Sequence, residues 1–390
     1  MSLAASPPCR IAAASFGAYG RNPSVQRFMS ASGRSWIAYR PCGRRLIALG
    51  GASGAEEELA GLREGFLRWA APRPVVWYGA GEPLPGLSAL PIGEEAIIQT
   101  DRFSLEGRPM ANLRHSVAAA GRAGLEVWEG AGRSLPEALG AELAAIDREW
   151  RRRRRLRLGF SVSTFEEAAA DSRPWSVVRS VGRVEAFVSW LPSPDGSGWV
   201  LDLMRRRPDA APGAVELALV RGIVRATSQG RTWVSLGLAR PADHVDGGRL
   251  ARAFNPVSLR AFKKKFRPDW EKRYLLLPGG ASPIPALLAV AWLHAEPTLP
   301  RLAPQLPRLA PHLRLGGAAA ATATAAVLIL GMSGIAPPGA ARPSTPRHGL
   351  VTTVRTSTSG RPSALADLTD LRAPAHPQPD ADRANLQSGA

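Results

Sequence analysis

The chain reads as an α/β protein (α+β in detail) built on mixed sheet, and three observations predict this. Short apolar runs of strand length alternate with amphipathic helical stretches from about Ser35 to Pro278. The stretch Trp199 to Ala239 contains strand, basic loop, helix and strand in succession. Two such alternations follow one another with no long linker, which predicts two units of similar topology dividing near residue 132.

In chain order, residues 1–23 read as a disordered leader with no secretory signal. Ser35–Arg40 and Arg44–Gly51 flank a Pro-Cys-Gly turn and form a hairpin. Ala55–Ala70 is an amphipathic helix with acids at its start, followed by a strand at Pro74–Tyr78. Ile92–Gln99 and Arg102–Arg108 are further short strands, Ala111–Ala123 a basic helix and Leu125–Gly130 a strand. The second unit opens with a helix at Pro136–Trp150 that runs into the charge run Arg151–Arg155; strands at Pro174–Arg179 and Val184–Leu191 follow. Five successive arginines are either a solvated helix end or a polyanion contact.

Composition bounds the function. The net charge of +18 and pI near 11.3 point to polyanionic partners, nucleic acid or acidic lipid. Cys9 and Cys42 are the only cysteines, which excludes a disulfide framework and a thiolate metal centre. The six histidines include no HxxxH or HxH pair, so no metal site is expected.

Two regions carry candidate chemistry. In Trp199–Met204, Asp202 is an acid within an apolar strand; Arg205, Arg206 and Arg207 follow, and a helix runs over Ala214–Ser228. A helix N-terminus beside three arginines suits an anion. On the helical wheel Arg221, Arg225 and Ser228 form the wet face, and Glu216 turns inward among Val215, Leu219 and Ile223. Glu216 then either answers the helix dipole or joins Asp202 in holding a substrate ammonium. In Asn255–Leu277, Leu259, Phe262, Phe266 and Trp270 mark one helical face while Arg260, Lys263, Lys264, Lys265 and Arg267 crowd the rest. That ridge suits an RNA end or a phosphate headgroup, or is a surface helix with snorkelling side chains.

Several motifs in order resemble the C-terminal synthase domain of the bacterial phosphatidylglycerol lysyltransferases, the multiple peptide resistance factor family. They are Gly93–Ala96 (GEEA), DRFSLEGRPMANLRHSV, AGRAGLEVWE, LDLMRRRPDAAPG, QGRTWVSLGLA and LRAFKKKFRPDWEKRYLLLP, spanning about Phe28 to Pro278. The resemblance implies tandem acetyltransferase-like (GNAT-type) folds and transfer of an aminoacyl group from aminoacyl-tRNA to a lipid hydroxyl. On it, Asp202 and Glu216 hold the amino-acid ammonium or relay a proton. Arg205, Lys263, Lys265 and Arg273 hold phosphates of the tRNA acceptor end or of an anionic phospholipid. No cofactor is implied beyond aminoacyl-tRNA as co-substrate. The chain departs from the pattern at Arg240-Pro241 and lacks an expected acid before Asn255, which bears on amino-acid specificity. The family's long N-terminal membrane-spanning region does not precede these motifs here.

The organisation expected is therefore a leader (1–23), a first unit (24–132), a second unit with the active site (133–278), a Pro-rich linker (279–314), a candidate membrane span (315–341) and a disordered tail (342–390). Residues 315–341 carry no charge and are long enough to cross a bilayer, though rich in Ala and Gly. Arg301, Arg308 and Arg314 before them put the catalytic part on the cytoplasmic side of a bacterial membrane. The rival functions are an acetyl-CoA-dependent N-acyltransferase, aminoacyl transfer to a non-lipid acceptor, and a non-catalytic membrane-tethered relative. RPDAAPG at Arg207–Gly213 lacks the glycine spacing of an acetyl-CoA loop, which disfavours the first. Two expectations follow from sequence. Deleting 279–390 releases the protein from membranes with the fold intact. Lys263→Ala with Lys265→Ala weakens tRNA binding and abolishes lipid aminoacylation, with thermal stability nearly unchanged.

Overall fold

Eleven strands form one continuous sheet in a computed structural model that describes residues 8–154, 159–239 and 256–295. The first half supplies β1 (Gln26–Met29), β2 (Trp36–Cys42), β3 (Arg45–Ser53), β4 (Val75–Ala80) and β5 (Leu87–Gln99). The second supplies β6 (Glu126–Ala131), β7 (Pro174–Ser180), β8 (Arg183–Pro192), β9 (Gly198–Arg206), β10 (Trp233–Ala239) and β11 (Asp269–Pro278). The spatial order is β1-β2-β3-β4-β11-β5-β10-β9-β8-β7-β6.

The two halves repeat a topology. In the first, β2 and β3 are antiparallel, and helix α2 (Leu59–Ala70) carries the chain over to β4, parallel to β3. In the second, β8 and β9 are antiparallel, and helix α6 (Ala214–Ser228) carries the chain over to β10, parallel to β9. At the centre they interleave: β11 lies between β4 and β5, and β5 between β11 and β10, all antiparallel. The change from one set of strands to the other falls between β5, which ends at Gln99, and β6, which begins at Glu126, and both sets share one sheet.

Local sequence explains most elements. Val184–Leu191 is buried throughout, as expected of a strand covered on both faces. The small and aliphatic positions of α6 from Val215 to Ala226, Val224 apart, are buried. Gly213 enters α6 at φ +82°, and a Cβ there would fall 2.0 Å from the Ser116 carbonyl, so only glycine fits. Helices α3 (Ala111–Arg122) and α4 (Glu137–Arg154) fall where their periodicity places them; α5 (Phe165–Ala170) begins with a capping box from Thr164 and Glu167.

Four expectations are corrected. The leader is folded from Pro8: helix α1 (Pro8–Gly17) buries Ile11, Ala12, Ala14 and Phe16, and Phe16 meets the Tyr78 ring edge-on at 5.6 Å. Its run of small residues has no polar face, and its partners are distant in sequence. The Pro-rich linker contains helix α8 (Pro283–Ala295), whose Leu287, Val290 and Leu293 pack into the same core. Every α8 residue before His294 is apolar, so no amphipathic period betrays it. Arg102–Arg108 is loop and turn, not strand. Helix α7 (Pro256–Lys264) stops before Pro268, Arg267 takes φ +54°, and Trp270 lies in β11. The candidate span 315–341 and the segment with Arg240 and Pro241 lie outside the described residues, among which no helix is long and apolar enough to cross a membrane.

Because α8 completes the core, deletion from 279 is expected to destabilise the fold. Leu293→Ala should cost about 2–5 kcal/mol, the usual range for a buried leucine truncation, read as a lowered urea midpoint at unchanged slope.

Candidate functional site

The site begins where two parallel strands part. β10 pairs with β9 only over Trp233–Ser235 against Gly198–Val200. Beyond Ser235 a bulge turns β10 toward β5, with Gly237 at φ +80°. β9 carries an irregularity of its own against β8 beside Asp202. A cavity of about 50 Å³ opens in the gap, between Val200–Asp202 and Leu236–Leu238. Ser15, Phe16 and Tyr19 close it from the N-terminal segment, and Tyr78 and Glu95 from the first half. In the first half, the matching space beside β3 and β4 is filled by Phe16 packed on Gly50 and Gly79.

Two buried acids face this cavity, each held from behind by an arginine. Asp202 accepts from Arg173 Nη1 at 2.7 Å and from the Ser163 N–H at 2.9 Å. Arg173 also donates to Ser163 Oγ at 2.7 Å and Asn22 Oδ1 at 3.1 Å. Glu95 accepts from Arg273 Nε at 2.6 Å, from Ser15 Oγ at 3.1 Å and from Ser235 Oγ. Arg273 is shared with Glu271 at 2.8 Å. Tyr19 lines the same cavity as the two acids. Burial, then Asp202, then Glu95 push its phenol well above the ordinary value, so it stays protonated and is a donor.

Lys263 reaches the β10 bulge from α7. Its Nζ donates to the carbonyls of Gly237 at 2.8 Å and Leu238 at 2.9 Å. Burial lowers its ammonium from 10.5 to about 7, while Glu95 pulls it upward. Ser161, also on the cavity wall, donates to His294 Nε2 at 2.7 Å. That direction follows because His294 Nδ1–H is given to the Val290 carbonyl at 2.8 Å, and burial holds the ring neutral, at about 3.

The sequence candidates are thus separated. Asp202 lines the cavity; Glu216 does not, and instead accepts from Lys265 Nζ at 2.8 Å on the α6–α7 contact. Glu216 does turn inward, at 5% exposure, but its partner there is Lys265, just past the end of α7. Arg205 is buried against Asp147 at 2.9 Å with its guanidinium 3.7 Å above Trp150, and Arg207 pairs with Glu142 at 2.8 Å. The anion site expected from three adjacent arginines is therefore largely answered by α4's own acids. Lys263 and Arg273 are likewise internal, so a double change at Lys263 and Lys265 would disturb packing, contrary to the stability expectation. Sequence reasoning missed Glu95, though it quoted its motif, and missed Tyr19, Arg173, Ser161 and His294. Nothing local marks Arg173, which sits in the loop before β7, as the buried partner of Asp202.

A mixed α/β sheet with splayed parallel strands around a buried, acid-lined cavity defines the class: a single-sheet α/β domain with a small cavity between the splayed strands. The family model described as phosphatidylglycerol lysyltransferase, C-terminal, matches residues 13–277, and the chain belongs to that family. It is 28% identical over 274 residues to the phosphatidylglycerol lysyltransferase of Bacillus subtilis (strain 168), covering 64% of this chain and 31% of the relative. It is 32% identical over 210 residues to the lysylphosphatidylglycerol biosynthesis bifunctional protein LysX of Mycobacterium avium (strain 104), covering 48% of this chain and 18% of the relative. The chain therefore spans less than a third of the length of these relatives. Among solved structures it resembles L-PGS from Bacillus licheniformis, with TM-score 0.64 and 25% identity over 72% of this chain and 92% of that one.

Two outcomes are expected. Asp202→Asn removes the fully buried counter-ion of Arg173 and leaves it Asp171 at 3.1 Å, so the loss in urea unfolding should fall below the about 3–5 kcal/mol of a fully orphaned buried charge. For Lys263, folded and unfolded chains are both protonated below about pH 7, and the cost of the buried charge is present in full. Between about 7 and 10.5 the unfolded chain binds more protons, so this residue's contribution to stability rises with pH. Lys263→Met should flatten the dependence of the urea midpoint on pH across that window.

Proposed function

We propose that the chain is a tRNA-dependent aminoacyltransferase that moves an aminoacyl group, lysyl or another, from aminoacyl-tRNA to a hydroxyl of phosphatidylglycerol or a related anionic lipid. The single observation that carries the mechanism is the cavity between β9 and β10, which Glu95, Asp202 and Tyr19 line together. Family membership over residues 13–277 supports the reaction class. The scaffold is read as a tandem acetyltransferase-like fold, with aminoacyl-tRNA as co-substrate and no further cofactor.

The reaction exchanges one ester for another. The lipid hydroxyl oxygen bonds to the aminoacyl carbonyl carbon, the bond to the tRNA ribose oxygen breaks, and the hydroxyl proton ends on that ribose oxygen. Bond energies nearly cancel, so the protein's task is to position the two partners and stabilise the oxyanion. Asp202 and Glu95 keep acceptor capacity toward the cavity after their arginines are satisfied, which suits an ammonium of the aminoacyl group. Glu216 is given no such role, since Lys265 occupies it. Protonated Tyr19 is placed as the oxyanion donor. Lys263 holds the bulge whose Gly237 and Leu238 wall the cavity. The basic surface and the membrane are the partners of this reading, with the catalytic part on the cytoplasmic side of a bacterial membrane.

The test incubates the full chain with radiolabelled aminoacyl-tRNA and phosphatidylglycerol vesicles, then separates lipids by thin-layer chromatography. Labelled aminoacyl-lipid is expected from lysyl-tRNA or from one other aminoacyl-tRNA. Tyr19→Phe should lower kcat roughly 10²-fold or more, the cost of one oxyanion donor. Absence of lipid product with every aminoacyl-tRNA would overturn the reading.

A further inference from the structure

The face of the sheet away from α1 and α8 carries α2, and the outward side of α2 is unusual. Leu67 and Trp69 are 42% and 43% exposed. Arg63, Arg68 and Arg73 surround them, and none is ion-paired to a described carboxylate. Glu64 is the acid on this part of the helix, so the patch is net positive. The Trp69 ring does not flop: it stacks on Phe66 at 5.7 Å and 29°, and Phe28 and Tyr39 lie within 5.4 Å and 5.3 Å. The Arg73 guanidinium sits over it at 4.8 Å.

Two grooves run end to end along one edge of this helix and meet at Arg63 and Trp77. One, of about 350 Å³, has Arg63 and Arg73 among its lining and an apolar wall of Leu67, Val75, Trp77 and Leu87. The other, of about 220 Å³, shares Arg63 and Trp77 and carries Glu82. Guanidinium groups above an apolar wall match an amphiphile with an anionic head.

We propose that this face of α2, with the groove between Arg63 and Arg73, is a docking surface for an anionic phospholipid bilayer. Charge complementarity and geometry both select this partner. Leu67 beside Arg63 and Arg73 on one flank of α2, and Trp69 under Arg73 on the other, set exposed apolar side chains among arginines, as at a membrane interface where apolar side chains enter the headgroup boundary. Phosphates pair with the arginines, and each near-surface arginine strengthens attraction to an anionic leaflet. RNA fits less well. Stacking a base needs a free aromatic face, and Trp69 has Arg73 over its ring and Phe66 against it. Its exposed edge suits the membrane interface, where Trp sits at headgroup level. The assignment extends the lipid-acceptor reading by naming the surface where lipid is met, and it needs neither tRNA nor transfer chemistry.

The test uses the full chain with Cys9→Ser and Cys42→Ser. An environment-sensitive fluorophore is attached at Leu67→Cys or, as a control, at Val181→Cys, a fully exposed turn position between β7 and β8. Vesicles of mixed phosphatidylglycerol and phosphatidylcholine should move the Leu67 probe to lower polarity and leave the Val181 probe in water. Arg63→Gln with Arg68→Gln and Arg73→Gln should abolish the shift and weaken vesicle partition on the order of a hundredfold at low salt. If the chain floats with vesicles while the Leu67 probe stays in water, another part is the anchor and the proposal fails. It fails equally if the chain does not bind vesicles, or if tRNA and not vesicles shifts the Leu67 probe. Because no aminoacyl-tRNA is needed, loss of lipid aminoacylation would leave this result standing, and the reverse also holds.

Discussion

The pair Glu95–Arg273 is the interaction on which the rest depends. Glu95 lies on β5 and Arg273 on β11, strands from opposite halves that are neighbours at the centre of the sheet. Both side chains are essentially dry, so the Glu95 carboxylate depends on Arg273, which is itself shared with Glu271. The pairing sets how the halves meet: Arg273 lies opposite Gly93 in the ladder and reaches along the strand to Glu95. The same carboxylate receives Ser235 from β10 and Ser15 from α1, so one group joins four segments around the cavity.

A second buried pair, Arg173–Asp202, does for the far wall what the first does for the near one. Asn22 and Ser163 complete its hydrogen bonding, tying the N-terminal segment to β7 and β9. In both places the arginine is placed behind the acid, leaving the acid as the surface of the cavity. Buried pairs of this kind contribute little net stability over apolar packing, yet they fix geometry because every alternative arrangement strands a charge. That is suited to a site whose task is positioning. The N-terminal helix serves the same end, since Phe16 fills the splay of the first half and leaves that of the second open.

Much of the secondary structure was legible because it is locally encoded. α6 spans Ala214–Ser228 as its periodicity indicates, and β9 and β10 flank it as their apolar runs require. α1 and α8 were illegible for one reason: each is apolar nearly all round, so a helix that is fully useful to a core shows no period. Of the site, Asp202 was legible as a charge inside a strand that packs on both faces. Glu95 was hidden in GEEA, where Glu94 precedes it, and only the sheet shows which glutamate is inside. Their exposures, 19% for the Glu94 side chain and 2% for that of Glu95, follow from alternation across a strand whose burial sequence alone does not give.

The sequence by itself determined the α/β alternation, the family-bearing motifs and the surplus of positive charge, because these are properties of composition, local period and spacing. Only the tertiary structure decided which cations are bound internally. Arg205, Arg207 and Lys265 each look available along the chain, and each meets an acid at least 49 residues away. It also decided that, of two inward acids, Asp202 lines the cavity and Glu216 pairs with Lys265 instead. The reason is physical: a charged side chain's role is set by the partner it meets after burial, and that partner is chosen by the order of strands in the sheet, which no local pattern records.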